Sequence, residues 1–152
     1  MKIEWSKYLQ EIPEYKPMIE NQDYINAWQT FLDQQKSTLP SNELIIVAGN
    51  MTIQEGNMIL EYLLVNQTEN PITEVEIGVT LSVLGKPYFQ GLLRTNKNCY
   101  QELSPKNARL DLIDFGNDRY EDQEITPKNY DLVIHFCREI EYIENETTET
   151  TA

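Results

Sequence analysis

Residues 74–83, Glu-Val-Glu-Ile-Gly-Val-Thr-Leu-Ser-Val, decide the fold of this chain. Valine, isoleucine and leucine occupy every second position from Val75 to Val83. Successive side chains of a β-strand point to opposite faces of its sheet, whereas a helix would scatter these residues around its circumference. The stretch therefore predicts a strand with one buried face and one solvent-exposed face. Glu74 and Glu76 are expected to lie on the exposed face and to contact water there.

Similar short segments lie on both sides of this strand. The turn Gln54-Glu-Gly-Asn57 joins two apolar segments and predicts a hairpin. The predicted strands are residues 44–53, 57–66, 75–84, 88–95, 108–115 and 130–137, with a further short strand at 100–103. About six or seven short strands without helices between them favour two packed sheets. We therefore predict a mainly β chain, folded as an antiparallel immunoglobulin-like β-sandwich with an N-terminal helix.

The helix is expected at residues 22–36, with Asp23 as its N-cap. Tyr24, Trp28, Phe31 and Leu32 recur there at helical spacing and form one apolar stripe. Trp28 and Phe31 have two open interpretations. They either pack onto the sheet or form an aromatic pair that faces a ligand.

Three regions follow from these patterns. Residues 1–42 are expected to form an N-terminal arm and helix packed on the sandwich, and residues 43–143 the β-sandwich domain. Residues 144–152, Glu-Asn-Glu-Thr-Thr-Glu-Thr-Thr-Ala, contain no apolar side chain large enough for a core. We predict a disordered acidic tail there.

The charge limits the partners. Asp and Glu number 25 against 12 Lys and Arg, so the formal net charge is -13. Phosphate backbones and anionic membrane surfaces repel such a protein. We therefore expect no direct nucleic-acid partner. The charge itself is open to two interpretations, solubility or a negative surface for a basic partner.

The start of the chain, Met1-Lys-Ile-Glu-Trp5, lacks the apolar run of a signal peptide, and no stretch of the chain has the length and apolarity of a membrane span. We therefore expect a cytoplasmic protein without a membrane span. In that compartment Cys99 and Cys137 are expected to be reduced.

The candidates for catalysis are few. The single histidine, His135, is two residues from Cys137, and on a regular strand both side chains would point to the same face. A strand interior is a poor place for a nucleophile without a third, orienting group. The glycines stand singly, which predicts no phosphate-binding loop. We expect no enzyme activity, no cofactor and no metal site.

The acidic residues of the 114–124 loop suggest one alternative. Oxygen-rich loops can bind calcium, but Gly116 stands where an EF-hand loop needs a ligand. We therefore interpret this loop as a solvated connection between strands, and calcium binding is left open.

Aromatic residues in the N-terminal arm suggest an interface. Trp5, Tyr8 and Tyr15 lie in a segment interrupted by Pro13 and Pro17, which we predict to be extended or a single helical turn. Aromatic side chains are enriched at the energetic centres of interfaces. The three residues are therefore candidates for partner binding, and the alternative is that they fold back over the sandwich.

The order of segments resembles a known kind of domain. A helix precedes the first strand, the hairpin ends in Val65-Asn-Gln-Thr68, and a later strand is followed by Leu103-Ser-Pro-Lys106. This order resembles the SLAP-type domains of Gram-positive bacteria, which are linked to S-layer assembly and accessory Sec secretion. It is also similar to immunoglobulin-like modules with an Asn-rich turn. The resemblance covers about residues 22–137 and implies an adaptor role without catalytic residues.

Two functional hypotheses follow. The first is a non-enzymatic protein-interaction module, an adaptor or chaperone-like factor in protein secretion or surface-protein assembly. Its partner would be a protein, either basic or a secretion component. The second is an acidic inhibitor or immunity-type protein that blocks a basic toxin or a nucleic-acid-binding partner.

Overall fold

The computed structural model describes residues 2–35, 37–95 and 102–140 and shows a mainly β chain with two sheets and an N-terminal helical layer. The predicted fold class is confirmed at this level. The strands of the described residues are β1 (Ile3–Trp5), β2 (Leu44–Gln54), β3 (Asn57–Asn66), β4 (Val75–Val83), β5 (Lys86–Arg94), β6 (Ala108–Asp114), β7 (Gln123–Ile125) and β8 (Tyr130–Glu139). The α-helices are α1 (Lys7–Gln10), α2 (Lys16–Glu20) and α3 (Gln22–Gln35), with short 3-10 helices at Pro13–Tyr15 and Pro127–Asn129.

The larger sheet has five strands in the order β1-β6-β3-β2-β7, and the smaller has three in the order β5-β4-β8. All strand pairs in the two sheets are antiparallel except β1 with β6 of the larger sheet, which run parallel with Ile3 opposite Ala108. Residues 3–5 are therefore a strand, where the sequence predicted an irregular arm. The short β7 inside the acidic loop was not predicted either. Residues 100 and 101 of the predicted strand at 100–103 lie outside the described residues, and Leu103 forms an isolated antiparallel bridge with Ile72.

The core between the sheets depends on the alternation in β4. Val75, Ile77, Val79, Leu81 and Val83 are each at most 2% exposed. They pack against inward side chains of β3, among them Leu60 and Leu64. The two sheets therefore face each other across the apolar positions of both strands, as the period of two predicts.

The prediction that the outer face of β4 is solvent-exposed was wrong at Glu74 and Glu76, which are only 6% and 8% exposed. β4 is the central strand of its sheet, so side chains from both neighbours reach over it. Arg94 of β5 and Arg138 of β8 both bond to Glu76. A single strand's pattern carries no information about these neighbours.

The helical layer covers the opposite, outer face of the five-stranded sheet. Leu32 of α3 is 1% exposed and belongs to a cluster with Leu63 and Val65 of β3. The N-cap of α3 is Asn21 and not Asp23, because the Asn21 Oδ1 accepts from the backbone N–H groups of Asp23 and Tyr24. No helix of the described residues is long and apolar enough to cross a membrane.

Two β-bulges change the direction of nearby side chains. In β2, Gly49 and Asn50 together lie opposite one residue of β3, Glu61. In β8, His135 is the extra residue between Ile134 and Phe136. A bulge shifts the alternation of every residue beyond it, and both bulges lie beside the surfaces described next.

The predicted disordered tail, residues 144–152, lies outside the described residues.

Candidate functional site

A groove of about 390 Å³ lies between α3 and β2, on the outer face of the five-stranded sheet. One wall is the helix face that carries the predicted aromatic stripe. The other wall and the floor come from β2 and from one side chain of β3. The lining residues are Tyr24, Ala27, Trp28, Phe31, Val47, Ala48, Gly49, Asn50 and Glu61.

Helical spacing and a glycine together build the aromatic wall. Tyr24, Trp28 and Phe31 recur at intervals of four and three residues, so they share one face of α3. The Trp28 ring lies directly on the backbone of β2 at Gly49. A Cβ atom at Gly49 would lie 2.9 Å from the Cζ2 atom of Trp28, closer than two carbon atoms can pack. Glycine at this position therefore allows the indole to rest on the strand.

Phe31 keeps the groove open to solvent. Its ring is 40% exposed, and its centroid lies 6.3 Å from that of Trp28 in an edge-to-face arrangement. The half-buried Trp28 packs on the sheet, as the first interpretation expects, while Phe31 remains accessible. A ligand-facing role for the pair stays a prediction.

Glu61 places a carboxylate in the apolar groove. It is half-buried, and its Oε2 atom accepts a hydrogen bond of 2.5 Å from the Tyr24 hydroxyl. Burial, followed by this hydrogen bond, raises the pKa of Tyr24, while a hydrogen bond from Trp28 acts in the opposite direction. The hydroxyl therefore stays protonated and donates. Among the described residues, no Lys, Arg or His forms an ion pair with Glu61.

A hydrogen bond connects the floor of the groove to the three-stranded sheet. The Tyr130 hydroxyl of β8 donates a hydrogen bond of 2.6 Å to the Gly49 carbonyl. Burial raises the pKa of Tyr130 to about 12, so the donor is retained at neutral pH. This bond satisfies a backbone carbonyl inside the β2 bulge and holds the bulge beneath Trp28.

The outer face of the three-stranded sheet has a second arrangement of glycine, aromatic ring and carboxylate. The Phe136 ring lies on Gly78, where a Cβ atom would be 2.5 Å from the ring. The Arg138 guanidinium stacks over Phe136 with its Cζ atom 4.4 Å from the ring centroid. Its Nε atom lies 2.6 Å from the Oε1 atom of Glu76.

Arg94 completes this arrangement from the other side. Its Nη2 atom lies 3.0 Å from the Oε2 atom of Glu76. The hydrogen bond from Arg138 is the main cause that lowers the pKa of Glu76, and Arg94 adds to it. Each Glu76 oxygen therefore has an arginine partner, although both arginine side chains are more than 60% exposed.

The structure separates the three aromatic residues proposed for partner binding. Trp5 is 8% exposed within the parallel strand β1, and it stacks on Tyr24 with centroids 5.6 Å apart. Tyr8 is 44% exposed, and Tyr15 is half-buried against the cluster beneath the helices. Trp5 therefore supports the groove from below through Tyr24. Partner binding by Tyr8 and Tyr15 stays a prediction.

His135 and Cys137 do not share a face, and that sequence prediction was wrong. The β8 bulge at His135 turns its side chain outward, where its Nε2 atom lies 2.7 Å from the Thr80 Oγ1 atom. Cys137 packs inward, and burial raises the pKa of its thiol to about 12. A cavity of about 590 Å³ borders both residues. The thiol of Cys137 is nevertheless neutral, and the imidazole of His135 does not activate it. Cys99 lies outside the described residues.

Several side-chain oxygen atoms of the acidic loop after β6 accept hydrogen bonds from backbone N–H groups. Asp114 accepts from the Gly116 N–H, and the Asn117 side chain accepts from two further N–H groups. Asp122 accepts from the Glu55 N–H of the β2–β3 turn. Within residues 2–35, 37–95 and 102–140, no three His, Cys, Asp or Glu side chains are grouped to hold a metal ion.

Sequence reasoning missed Glu61. The signal available was a single charged residue within the apolar strand Met58-Ile-Leu-Glu-Tyr-Leu-Leu-Val65. Such a residue marks the outer face of a strand, but the aromatic helix above it becomes evident only in three dimensions.

Comparison of the chain with protein-family models, with curated proteins and with solved structures finds no match in any of the three. The resemblance to SLAP-type and immunoglobulin-like domains is therefore untested and stays a prediction. The groove between α3 and β2 is the candidate functional site on its own geometry.

Proposed function

We propose that the protein is a non-enzymatic protein-interaction module that binds a partner protein in the groove between α3 and β2. The observation that carries this proposal is the accessible aromatic wall, in which Phe31 is 40% exposed beside Trp28. Large aromatic side chains in a partly enclosed groove are typical of the energetic centres of interfaces. A groove of about 390 Å³ between a helix and a strand suits one or two side chains of a partner.

The separation of the reactive side chains supports a role without catalysis. Catalysis by a thiol requires a nearby base that keeps the nucleophile activated. In this protein the imidazole of His135 contacts Thr80 on the outer face, while the Cys137 thiol is packed in the core.

The more specific role we propose is that of an adaptor or chaperone-like factor in protein secretion or surface-protein assembly. It rests on the resemblance to SLAP-type domains and on the order of strands and turns in residues 22–137. A cytoplasmic location belongs to the same proposal.

Two observations favour a second candidate function, the acidic inhibitor or immunity-type protein. The net charge of -13 and the carboxylate of Glu61 both suit a basic partner. The two roles differ in kinetics, because steering by opposite charges makes the association rate fall steeply with salt. A steep fall would favour the inhibitor, and a flat dependence the adaptor.

The test of the groove begins with affinity purification from the native host and identification of the partner, followed by measurement of its affinity. Phe31→Ala is expected to weaken binding by about tenfold or more, as expected for an aromatic residue at the centre of an interface. Leu92→Ala is the matched control, because Leu92 is 46% exposed on β5, away from the groove. It is expected to change affinity less than about twofold.

Two outcomes would overturn the proposal. Equal binding by wild type and Phe31→Ala would place the interface elsewhere. Loss of binding only in Leu92→Ala would move it to the outer face of the three-stranded sheet. Circular dichroism of both variants shows that any loss of binding is not a loss of fold.

A further inference from the structure

The two outer faces of the sandwich contain the same three components. On the three-stranded sheet, the Phe136 ring rests on Gly78 near the carboxylate of Glu76. In the groove, the Trp28 ring rests on Gly49, and Glu61 lies opposite the same bulge. Each site thus places an aromatic ring over a glycine and a carboxylate beside that ring.

The two sites differ in one component, the cation. On the three-stranded sheet, Arg138 stacks on Phe136 and bonds to Glu76 with the same guanidinium group. In the groove, the described residues provide no cation to Glu61, which accepts a hydrogen bond from the Tyr24 hydroxyl. The groove therefore resembles the first arrangement with its guanidinium missing.

The chain has no arginine left to fill this position. Its four arginines are Arg94, Arg109, Arg119 and Arg138. Arg94 and Arg138 bond to Glu76, Arg119 bonds to the Pro87 carbonyl and stacks on Tyr88, and Arg109 donates to the Thr73 carbonyl. A guanidinium in the groove would have to come from another molecule.

The chemistry of the groove favours a guanidinium over an ammonium group. Guanidinium is planar and weakly hydrated, so it can stack on an aromatic face while its N–H groups bond to a carboxylate. An ammonium group is a compact, strongly hydrated point charge and gains less from a flat aromatic wall. The net charge of -13 attracts either cation towards the protein.

We propose that the groove binds the guanidinium of an arginine side chain of the partner protein, with Trp28 as the stacking surface and Glu61 as the anionic contact. The inference deepens the proposed function and rests on it for the statement that the arginine belongs to a partner protein. The binding of a guanidinium itself can be tested without any partner.

The probe is N-acetyl-L-arginine amide, titrated into the full chain while the indole N–H signal of Trp28 is followed by nuclear magnetic resonance. A single side chain is expected to bind with a Kd on the order of millimolar, since few atoms make contact. N-acetyl-L-lysine amide is expected to bind at least about threefold more weakly, because it lacks the planar stacking group.

Two substitutions test the role of the carboxylate. Glu61→Gln is expected to weaken binding of the arginine probe by about fivefold or more, because the charge-assisted hydrogen bond is lost. Glu124→Gln removes the same charge from the exposed strand β7 and is expected to leave binding unchanged. Tyr24→Phe frees the second Glu61 oxygen and is expected to bind the probe at least as tightly as the wild type.

Three results would overturn the inference: no shift of the Trp28 signal, equal affinity of the wild type and Glu61→Gln, or equal affinity for the arginine and lysine probes. A failure of the proposed function is distinguishable from these. In that case the partner would bind the wild type and Phe31→Ala with equal affinity, while the groove would still bind the arginine probe.

Discussion

The two outer faces of the sandwich differ in how they are covered. The five-stranded sheet is covered by the N-terminal helices, which bury Leu32 against β3. The three-stranded sheet has no such cover in the described residues, and its outer face leaves Val133 and Phe136 at 43% and 37% exposure. Yet each face holds one carboxylate near an aromatic ring.

The two carboxylates differ in the partners that neutralise their charge. Glu76, on the uncovered face, has an arginine partner at each oxygen. Glu61, beneath the helix, has a tyrosine hydroxyl at one oxygen and no cation among the described residues. Glu76 is therefore paired at both oxygens, while Glu61 keeps a charge that an incoming cation could satisfy.

The largest expected effect concerns the cover itself. Leu32→Ala should lower the free energy of unfolding by about 2–5 kcal/mol, because it removes a fully buried side chain and leaves a cavity between α3 and β3. Val133→Ala, on the uncovered face, should change it by no more than about 0.5 kcal/mol. Urea unfolding followed by circular dichroism measures both. A similar small cost for the two variants would show that the helices are loosely attached.

The two glycines under aromatic rings allow a sharper comparison. Gly49→Ala places a methyl group 2.9 Å from Trp28, which α3 holds in place, and should cost about 1–3 kcal/mol through overpacking. Gly78→Ala meets Phe136 at 2.5 Å, but that ring is partly exposed and can turn towards solvent. We expect the Gly78 variant to cost less than about 1 kcal/mol in the same urea assay. The reverse order would contradict the difference in rigidity between the two faces.

The smallest expected effect is a pH dependence at Glu76. Its pKa is lowered in the folded state, chiefly by the hydrogen bond from Arg138, relative to about 4.3 in an unfolded chain. Its contribution to stability is therefore present above that unfolded value and is lost as the pH falls through the lowered folded-state pKa. The Tm of Glu76→Gln should lie below that of the wild type at pH 7, and the gap should narrow as the pH falls below about 4.3.

Glu124→Gln is the control for this experiment, because Glu124 makes no ion pair within the described chain. Its Tm difference from the wild type should be smaller at pH 7. A gap for Glu76→Gln that widens as the pH falls would contradict the lowered pKa.

Much of the fold could be predicted from the sequence, because its signals are local. The hairpin of β2 and β3, the alternation of β4 and the stripe on α3 each depend on residues a few positions apart. The parallel strand β1 could not be predicted, since three residues carry too little pattern. Its pairing is decided by Ala108, more than a hundred positions along the chain.

The candidate site was predictable only in its helical half. Trp28 and Phe31 were identified as either packing or ligand-facing residues; Trp28 packs on Gly49, and Phe31 is accessible in the groove. Glu61 was missed because its significance comes from what lies above it. The opposite placement of His135 and Cys137 was missed because a bulge has no dependable signature in a single sequence.

The sequence by itself determined which side chains are apolar and with what period they recur, and hence that two sheets and one helix would bury them. Tertiary structure alone decided which charges meet. Glu76 reaches Arg94 and Arg138, which are 18 and 62 positions away, because strand order brings β5 and β8 to either side of β4. Glu61 lies under α3 without a cation from the described residues for the same reason, since ion pairs depend on distances in space that cannot be read from the order of residues.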